Sequence, residues 1–185
     1  MRIIGGAWRS RLIEFPDAAD LRPTPDRVRE TLFNWLGQEL DGLACLDLYA
    51  GSGALGFEAA SRGAARVVMV ETDRVALQAL EASRTALGAV QVEIVSRGAA
   101  AFLEHARERF DMVFLDPPFR QNAVPGLLAQ LERLLNPAAR VYAESASAVP
   151  APANWLELKR ARAGSVSYQL FEWDGDDSSG VPGNV

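Results

Sequence analysis

A carboxylate, two prolines and an aromatic ring stand side by side at Asp116-Pro117-Pro118-Phe119, directly after a predicted buried strand. The side chain of Asp116 and the backbone carbonyl of Pro117 can each accept a hydrogen bond. Pro117 restrains Asp116 to an extended conformation, so these acceptors need little reorganisation when a ligand arrives. A ring at Phe119 can stack on a planar base, a contact worth roughly 1–3 kcal/mol. The four residues therefore predict a site that holds a planar amine by its N–H groups.

A glycine-rich turn follows an earlier apolar run. Gly51, Gly53 and Gly56 give the spacing G-x-G-x-x-G between a predicted strand and a predicted helix, and Glu71 ends the next predicted strand. Such a loop lets a nucleotide approach the backbone, and the acid can accept hydrogen bonds from ribose hydroxyls. The pattern predicts an adenosine-containing cofactor. The alternative is a turn whose glycines only let the strand and the helix pack closely.

Asp47 distinguishes between the cofactors that this loop could hold. In a nicotinamide enzyme the loop brings helix N–H groups to a pyrophosphate, which a carboxylate at the strand end would not favour. S-adenosylmethionine has no phosphate, and its ammonium group needs an anion nearby, in direct contact or through water. Asp47 therefore favours S-adenosylmethionine, whereas a strand-end acid that only bonds nearby backbone is the alternative.

The position of Asp116 predicts the reaction. Ligands of a doubly wound sheet bind outside the carboxyl ends of its strands, so Asp116 should face the methyl-bearing sulfur of the cofactor. An exocyclic base nitrogen is a poor nucleophile because its lone pair is delocalised into the ring. Acceptors that hold its two hydrogens turn that lone pair towards the methyl group. We therefore expect methyl transfer to an amino group.

Apolar runs typical of strands alternate with helical patterns along most of the chain. Strands are predicted at 43–49, 66–71, 90–95, 111–115 and 139–144, with helices at 54–62, 74–87, 99–109 and 124–135. Apolar strands separated by helices form a parallel sheet that is covered on both faces. A hairpin of 156–162 and 165–173 around Gly164 follows. The expected fold class is α/β, a doubly wound, mostly parallel seven-stranded sheet with a C-terminal antiparallel hairpin.

Three segments are predicted. Residues 1–40 should form a small hairpin and a helix, with Thr24 as the helix N-cap, Pro25 at its first position and Gly37 near its end. Residues 41–173 should form the catalytic domain. Residues 174–185 lack any periodicity and are expected to be a disordered acidic tail.

The charge distribution leaves room for a nucleic-acid partner. The net charge is −5, but four acids lie in the last 14 residues, and without them the balance is −5 + 4 = −1. Arginines dominate the basic residues, with Lys159 as the single lysine. Arginine offers a planar fork for phosphates, although a general arginine bias would look the same.

The cysteine, the histidine and the apolar stretches of the chain bear on metal binding and on the location of the protein. Cys45 is the single cysteine and is expected to be an inert core thiol, and no Cys/His cluster predicts a metal site. The only histidine, His105, is given no role. Neither a secretory leader nor a membrane-spanning stretch is predicted, so we expect a cytoplasmic protein.

These motifs together resemble the class I S-adenosylmethionine-dependent methyltransferases that modify amino groups. From Arg2 to about Trp173 the chain is similar to the bacterial 16S ribosomal RNA guanine-N2 methyltransferases, through RIIGGAWRSR, RPTPDRVRETLFNWL, LDLYAGSGALGFEAASRGA and FLDPPF. The resemblance implies transfer of one methyl group to N2 of a single guanine in 16S ribosomal RNA. The substrate would be an assembled or partly assembled small subunit, and we expect the enzyme to act as a monomer without metal or membrane.

The resemblance assigns site residues in three groups. Catalytic roles fall on Asp116, Pro117 and Phe119; cofactor contacts on Asp47, Ala50, Gly51, Ser52, Gly53, Glu71, Thr72, Gly98 and Ala99; and RNA contacts on Arg2, Arg9, Arg11, Arg22, Thr24 and Arg27. Gly98 stands where relatives often carry Asp or Asn to bond the adenine amino group. The adenine is therefore expected to rest on the backbone of Gly98 and Ala99.

Three alternatives stay open at this point. An amino methyltransferase acting on DNA adenine or on a protein amide would share the motifs, but such enzymes more often carry Asn at the position of Asp116. A non-catalytic ribosome-assembly factor would bind RNA through the N-terminal arginines without transferring a methyl group. A nicotinamide enzyme would share the glycine loop, but Asp47 disfavours it.

Overall fold

The computed structural model describes residues 1–14, 25–118 and 123–175. In these ranges the elements are α1 (Asp26–Leu36), β1 (Ala44–Asp47), α2 (Ala54–Ser61), β2 (Arg66–Glu71), α3 (Arg74–Leu87), β3 (Val92–Ser96), α4 (Ala99–His105), β4 (Phe110–Leu115), α5 (Val124–Leu131), a 3-10 turn (Glu132–Leu134), β5 (Leu135–Ser145), β6 (Trp155–Ala163) and β7 (Val166–Trp173). No helix in the described ranges is long and apolar enough to cross a membrane.

The seven strands form one sheet in the order β3-β2-β1-β4-β5-β7-β6. The first five strands pair in parallel, and β7 pairs antiparallel with both β5 and β6. The chain winds outwards from β1 to β3 and then returns to add β4 beside β1. The strand order therefore reverses between β1 and β4, where doubly wound sheets bind their ligands. The predicted fold class is confirmed.

Both faces of the sheet are covered. Residues of α1, α2 and α3 pack on one face, among them Phe33, Phe57 and Leu80. Residues of α4 and α5, among them Leu103 and Leu128, pack on the other. The central strands are buried on both faces because helices lie on both sides of them, which is why their sequences are apolar throughout rather than alternating.

The N-terminal residues fold back on themselves and pack into the same core as α1 to α3. Arg2 and Leu12 form an isolated antiparallel bridge, and the N–H of Ile3 donates to the carbonyl of Arg11 at 3.0 Å. Ile3 and Ile13 are buried beside α1. The predicted hairpin is thus a turn with a single bridge rather than a pair of strands.

Some predicted boundaries were wrong. Helix α4 ends at His105 because the backbone of Ala106 is extended, with φ −59° and ψ 143°, and no glycine or proline marks that stop. Strand β5 begins at Leu135, which was predicted to end the preceding helix. Pro25 precedes the first residue of α1 instead of being that residue, while Gly37 ends the helix with a left-handed φ of 94° as predicted.

Two predictions at the chain segments fall partly or wholly outside the described residues. Thr24, the predicted N-cap of α1, lies outside them. Of the predicted acidic tail, Asp174 is described, and its N–H donates to the carbonyl of Asn154 at 2.9 Å. Residues 176–185 lie outside the described ranges, so the disorder of the tail stays a prediction.

Candidate active site

The loop after β1 needs its glycines for conformation and for packing. Gly51 and Gly53 have left-handed φ values of 51° and 76°. A Cβ on Gly53 would lie 2.6 Å from the side chains of Leu80 and Phe57, and one on Gly56 would lie 2.4 Å from Met69. The loop therefore sits tightly against α2 and α3, with its backbone at the carboxyl end of β1, and Ala50 and Ser52 lie within it.

Asp47 ends β1 beneath this loop. Its side chain is almost fully buried, and Oδ2 accepts a hydrogen bond from the N–H of Gly56 at 3.0 Å. The pKa of Asp47 is raised to about 7, mainly by burial and to a lesser degree by the charges of Asp116 and Glu71, while the hydrogen bond from Gly56 opposes the change. Asp47 thus bonds nearby backbone, which was the alternative role considered for it. Its contact with a cofactor ammonium stays a prediction.

Glu71 ends β2 on the opposite side of the loop. Its Oε2 accepts from the N–H of Gly51 at 2.8 Å, and its Oε1 accepts from Thr72 at 2.6 Å and Asp73 at 2.9 Å. A carboxylate has about four acceptor positions, so capacity remains for a ribose hydroxyl. Glu71 is half-buried, so a ligand can reach it. The ribose contact stays a prediction.

The residues predicted to hold the adenine lie beside Glu71. Thr72 follows β2, and Gly98 and Ala99 form the start of α4, just after β3, whose last residue Ser96 pairs with Glu71. A Cβ on Gly98 would find its nearest neighbour, the Cγ2 of Thr72, at 3.9 Å. The position therefore has room for a side chain, and the backbone of Gly98 does not require glycine.

Asp116 follows β4 next to the end of β1. Asp47 pairs with Phe114, two residues before Asp116, so the two carboxylates lie at adjacent strand ends. Asp116 is partly exposed, and burial raises the pKa of its carboxyl to about 6. Pro117 is buried and Pro118 is exposed. Phe119 lies outside the described residues, so its stacking role stays a prediction.

A further carboxyl group, to which the sequence alone assigned no role, lies beside this site. Glu144 near the end of β5 is 6% exposed, and its Oε1 accepts a hydrogen bond from the hydroxyl of Tyr142 at 2.8 Å. Burial raises the pKa of Glu144 to about 8, and the charge of Asp116 adds to the effect. The signal available in the sequence was an acid at the end of an apolar strand, the same signal that marked Asp47, Glu71 and Asp116.

Aromatic side chains cover Tyr142 from the neighbouring strand and from α1. The rings of Tyr142 and Tyr168 lie 6.3 Å apart, and Trp35 of α1 stacks on Tyr168 with centroids 5.4 Å apart. Tyr168 is the residue of β7 that pairs with Glu144. Helix α1 therefore helps to close the core beneath the Asp116 end of the sheet.

The described arginines predicted to contact RNA are exposed, three of them in the N-terminal turn and one on α1. Arg2, Arg9, Arg11 and Arg27 all have exposed side chains, whereas Arg22 and Thr24 lie outside the described residues. Arg11 donates to the carbonyl of Ala86 near the end of α3. The turn that carries Arg9 is held at the end of α2 by Ser61, whose Oγ accepts from the N–H of Trp8. The eight-residue α2 is about 12 Å long and separates the end that holds this turn from the glycine loop at its start.

Arg29 does not belong with the exposed arginines of the N-terminal region. It is fully buried, and it contacts Glu58 of α2 at 3.3 Å and the carbonyl of Arg2 at 2.8 Å. Glu58 is also fully buried, contacts Arg62 at 2.8 Å and accepts from the N–H groups of Ile4 and Gly5. This buried network of Arg29, Glu58 and Arg62 joins the N-terminal turn, α1 and α2.

The remaining candidates for chemistry lie away from the site. Cys45 is buried in β1, where burial raises the pKa of its thiol to about 12, so it is an inert core residue as predicted. His105 is exposed at the end of α4. Within the described ranges, no group of three or more His, Cys, Asp and Glu side chains could hold a metal ion.

Comparison with known proteins decides the family. The family model described as "Conserved hypothetical protein 95" matches residues 1–172. Ribosomal RNA small subunit methyltransferase D of Escherichia coli K12 is 42% identical over 184 residues, which cover 97% of this chain and 93% of that protein. The chain belongs to this family of rRNA methyltransferases.

Other members agree in sequence and in structure. The Haemophilus influenzae protein with the same name is 40% identical over 180 residues, covering 93% of each chain. The solved structure of a family member from Escherichia coli, described as putative methyltransferase yhhF, superposes with a TM-score of 0.86 at 42% identity. The match covers 94% of this chain and 98% of that one, so the family likeness includes the N-terminal turn and the C-terminal strands.

Proposed function

We propose that this protein transfers a methyl group from S-adenosylmethionine to the exocyclic N2 of one guanine in 16S ribosomal RNA. The observation that carries the proposal is the position of Asp116, a strand-end carboxylate beside the loop of β1 in a member of an rRNA methyltransferase family. The substrate is an assembled or partly assembled small subunit. A monomeric, cytoplasmic enzyme belongs to the same proposal.

The charges around the glycine loop fit S-adenosylmethionine better than a nicotinamide cofactor. Three carboxyl groups, those of Asp47, Glu71 and Asp116, lie at the ends of β1, β2 and β4. A sulfonium and an ammonium are stabilised by such a set, whereas a pyrophosphate is repelled by it. Glu71 also takes the N–H of Gly51, one of the donors that a phosphate would need.

Residues at the carboxyl ends of neighbouring strands would each bind a different part of the cofactor. Glu71 would accept from the ribose hydroxyls, and the backbone of Gly98 and Ala99 would support the adenine next to Thr72. Asp47 would attract the ammonium while it holds the loop through Gly56. Asp116 would then lie on the β4 side of the loop, where the acceptor amine enters.

Asp116 and Pro117 would prepare the amine for reaction. The carboxylate of Asp116 and the carbonyl of Pro117 would accept the two N2–H groups, which turns the nitrogen lone pair towards the methyl carbon. When bound, S-adenosylmethionine would supply an electrophilic methyl carbon whose leaving group is a neutral thioether that keeps the carbon–sulfur electron pair. Asp116 would accept one N2–H proton, whose bonding pair would stay on the nitrogen. General-base and orienting effects of this kind are worth about 10²–10⁴ in rate.

The test is methyl transfer to small subunits that lack the modification. Wild-type protein with labelled S-adenosylmethionine should label 16S RNA, and mass spectrometry should place the methyl group on N2 of one guanine. Asp116→Ala should lower kcat by about 100-fold or more while calorimetry shows cofactor binding retained. Glu104→Ala, which removes an exposed carboxylate on α4, is the matched control and should retain full activity. Full activity of Asp116→Ala would remove the role assigned to Asp116.

The same assay separates the other acceptors. Label in DNA or in protein, with none in 16S RNA, would replace the proposal with a different amino methyltransferase. RNA binding without any bound cofactor or methyl transfer would identify a non-catalytic assembly factor instead.

A further inference from the structure

The register of the sheet places Glu144 next to Asp116. Leu115 of β4 pairs in parallel with Ala143 of β5, and Asp116 and Glu144 are the residues that follow them. Neighbouring strands lie about 4.8 Å apart, so the two carboxyl-bearing residues begin from adjacent backbone positions. Phe114 and Tyr142 are also paired, and side chains two residues apart share a face of the sheet. Asp116 and Glu144 therefore project from the same face.

The groups facing Glu144 are acids and phenols. On its own strand Tyr142 donates its hydroxyl to Glu144, on β7 Tyr168 pairs with it, and at the ends of β4 and β1 lie Asp116 and Asp47. These are the titratable groups that the described residues place around it. Two carboxyl groups at adjacent strand positions, one of them buried, cannot both be ionised at low cost, and such a pair can share a proton.

We propose that Glu144 is a positioning residue for methyl transfer: it carries the proton that the two carboxyl groups share and donates it in a hydrogen bond to Asp116. Asp116 then stays ionised, with one oxygen held by Glu144 and the other free to accept the amine hydrogen. The hydroxyl of Tyr142 donates a hydrogen bond to Oε1 of the Glu144 side chain, which leaves the proton on the other carboxyl oxygen, where it can be directed towards Asp116. This inference rests on the proposed methyl transfer and adds a residue to it.

The order of proton affinities agrees with this geometry. Glu144 is 6% exposed and Asp116 is partly exposed, so burial raises the pKa of Glu144 above that of Asp116, although the hydrogen bond from Tyr142 opposes the change. Near pH 7 the shared proton therefore resides on the more buried group, Glu144. When the amine gives up its proton during transfer, Asp116 receives it and later releases it to solvent. Above pH 8 Glu144 loses its own proton, the two carboxylates repel each other, and Asp116 is no longer held towards the amine.

The first test compares pH profiles. A group with a pKa of about 8 is only one-tenth protonated at pH 9, so wild-type kcat should fall about tenfold from pH 7 to pH 9. The glutamine of Glu144→Gln keeps an acceptor for Tyr142 and a donor for Asp116 at every pH. The fall in kcat of this variant from pH 7 to pH 9 should therefore be at least threefold smaller than that of wild type. Both proteins act on the same RNA, so titration of the guanine itself appears in both profiles. If the ratio of kcat at pH 7 to kcat at pH 9 were the same in wild type and in Glu144→Gln, the proposal would be overturned.

Glu157→Gln is the matched control for the pH profile. Glu157 lies on β6 and forms an ion pair with Arg160, so its loss should leave the wild-type ratio unchanged. Thermal unfolding of Glu144→Gln checks that the variant is folded at both pH values.

The second test measures the proton directly and does not depend on activity. The protein is labelled with carbon-13 at its glutamate carboxyl groups and studied by NMR. The carboxyl resonance that is present in wild type and missing from Glu144→Gln is assigned to Glu144. Its titration midpoint should lie above pH 7, and Asp116→Asn should lower it by removing the neighbouring charge. A midpoint below pH 7, or one that Asp116→Asn does not move, would overturn the shared proton. Absence of methyl transfer by wild type would instead overturn the proposed function, and this titration would still decide the inference.

Discussion

Gly98 leaves an open position where the adenine of the cofactor is expected to rest. The nearest atom to a Cβ there is 3.9 Å away, and the backbone is in an extended conformation that any residue adopts. Nothing in the fold therefore requires glycine at this position. The consequence is a cofactor site whose adenine end would be held by backbone alone.

We predict that Gly98→Asp strengthens cofactor binding. The new carboxylate could accept a hydrogen bond from the adenine amino group, and a bond of this kind contributes about 0.5–1.5 kcal/mol, or about a two- to tenfold lower Kd. Calorimetry with S-adenosylhomocysteine measures it. Gly126→Asp on α5 adds the same charge on the opposite face and should leave Kd unchanged. An unchanged Kd in Gly98→Asp would place the adenine elsewhere.

Single residues with a local signature could be predicted from the sequence, and those defined by pairing could not. The glycine spacing, Glu71 and Asp116 are each marked by their neighbours in the chain, and the structure brings them to one edge of the sheet. Glu144 also lies near the end of an apolar strand, but its role depends on Asp116, which lies 28 positions earlier and becomes its neighbour only through the register of β4 and β5. Arg29 cannot be told from the exposed arginines by sequence because its partner Glu58 is 29 positions away, in another helix.

At the scale of elements, one buried carboxylate joins three segments of the chain. Glu58 of α2 accepts from the backbone of Ile4 and Gly5 and contacts Arg29 of α1 and Arg62 at the end of α2. Because Glu58 and Arg29 are fully shielded from water, the charge of Glu58 depends on these neighbours for its partners. The N-terminal turn therefore takes its position from α2 and not from its own single bridge.

We predict that Glu58→Gln destabilises the protein strongly. Removing one charge from a buried network leaves the others uncompensated and costs about 3–5 kcal/mol of the free energy of unfolding. Glu81→Gln is the matched control, because Glu81 pairs with Arg84 on the exposed face of α3 and its loss should cost less than about 1 kcal/mol. Urea unfolding measures both variants. Equal losses would mean that the buried network contributes no more than a surface ion pair.

Element types could be predicted better than element ends. The apolar runs identified every strand, but Ala106 ends α4 without a glycine or proline, and the sequence AFLEHARERF continues the helical pattern beyond it. Leu135 is apolar and fits a helix or a strand equally well. Its place in β5 is decided by pairing with Phe110, which the local sequence does not encode.

Across the whole molecule, the exposed arginines are not confined to the edge that carries Asp116. Arg9 and Arg11 lie near the far ends of α2 and α3, whereas Glu71 and the glycine loop lie at their starts. If all of these arginines contact RNA, the contact surface extends along the helices from one edge of the sheet to the other. Such a footprint suits a folded ribosomal particle better than a short single strand.

We predict that Arg9→Gln and Arg27→Gln each weaken binding to the small subunit and reduce its salt dependence. Removing one arginine–phosphate ion pair should lower the slope of log K against log salt by about 0.7–0.9. Arg107→Gln is the control and should leave the slope unchanged, because the exposed Arg107 follows α4 on the other face of the sheet from α1, α2 and α3. A lower slope for Arg27→Gln alone would confine the footprint to α1 and exclude the N-terminal turn.

The place of β7 in the sheet has a consequence for how the protein is made. Strand β7, the last in chain order of the described residues, lies between β5 and β6, and within those residues β6 pairs with no other strand. Until residue 173 has left the translating ribosome, β5 presents an open edge and β6 has no neighbouring strand with which to form hydrogen bonds. An open edge of unpaired N–H and C=O groups invites pairing with other chains. Chains released early, before residue 166, should therefore be prone to aggregation, although every residue assigned to the active site has already been synthesised.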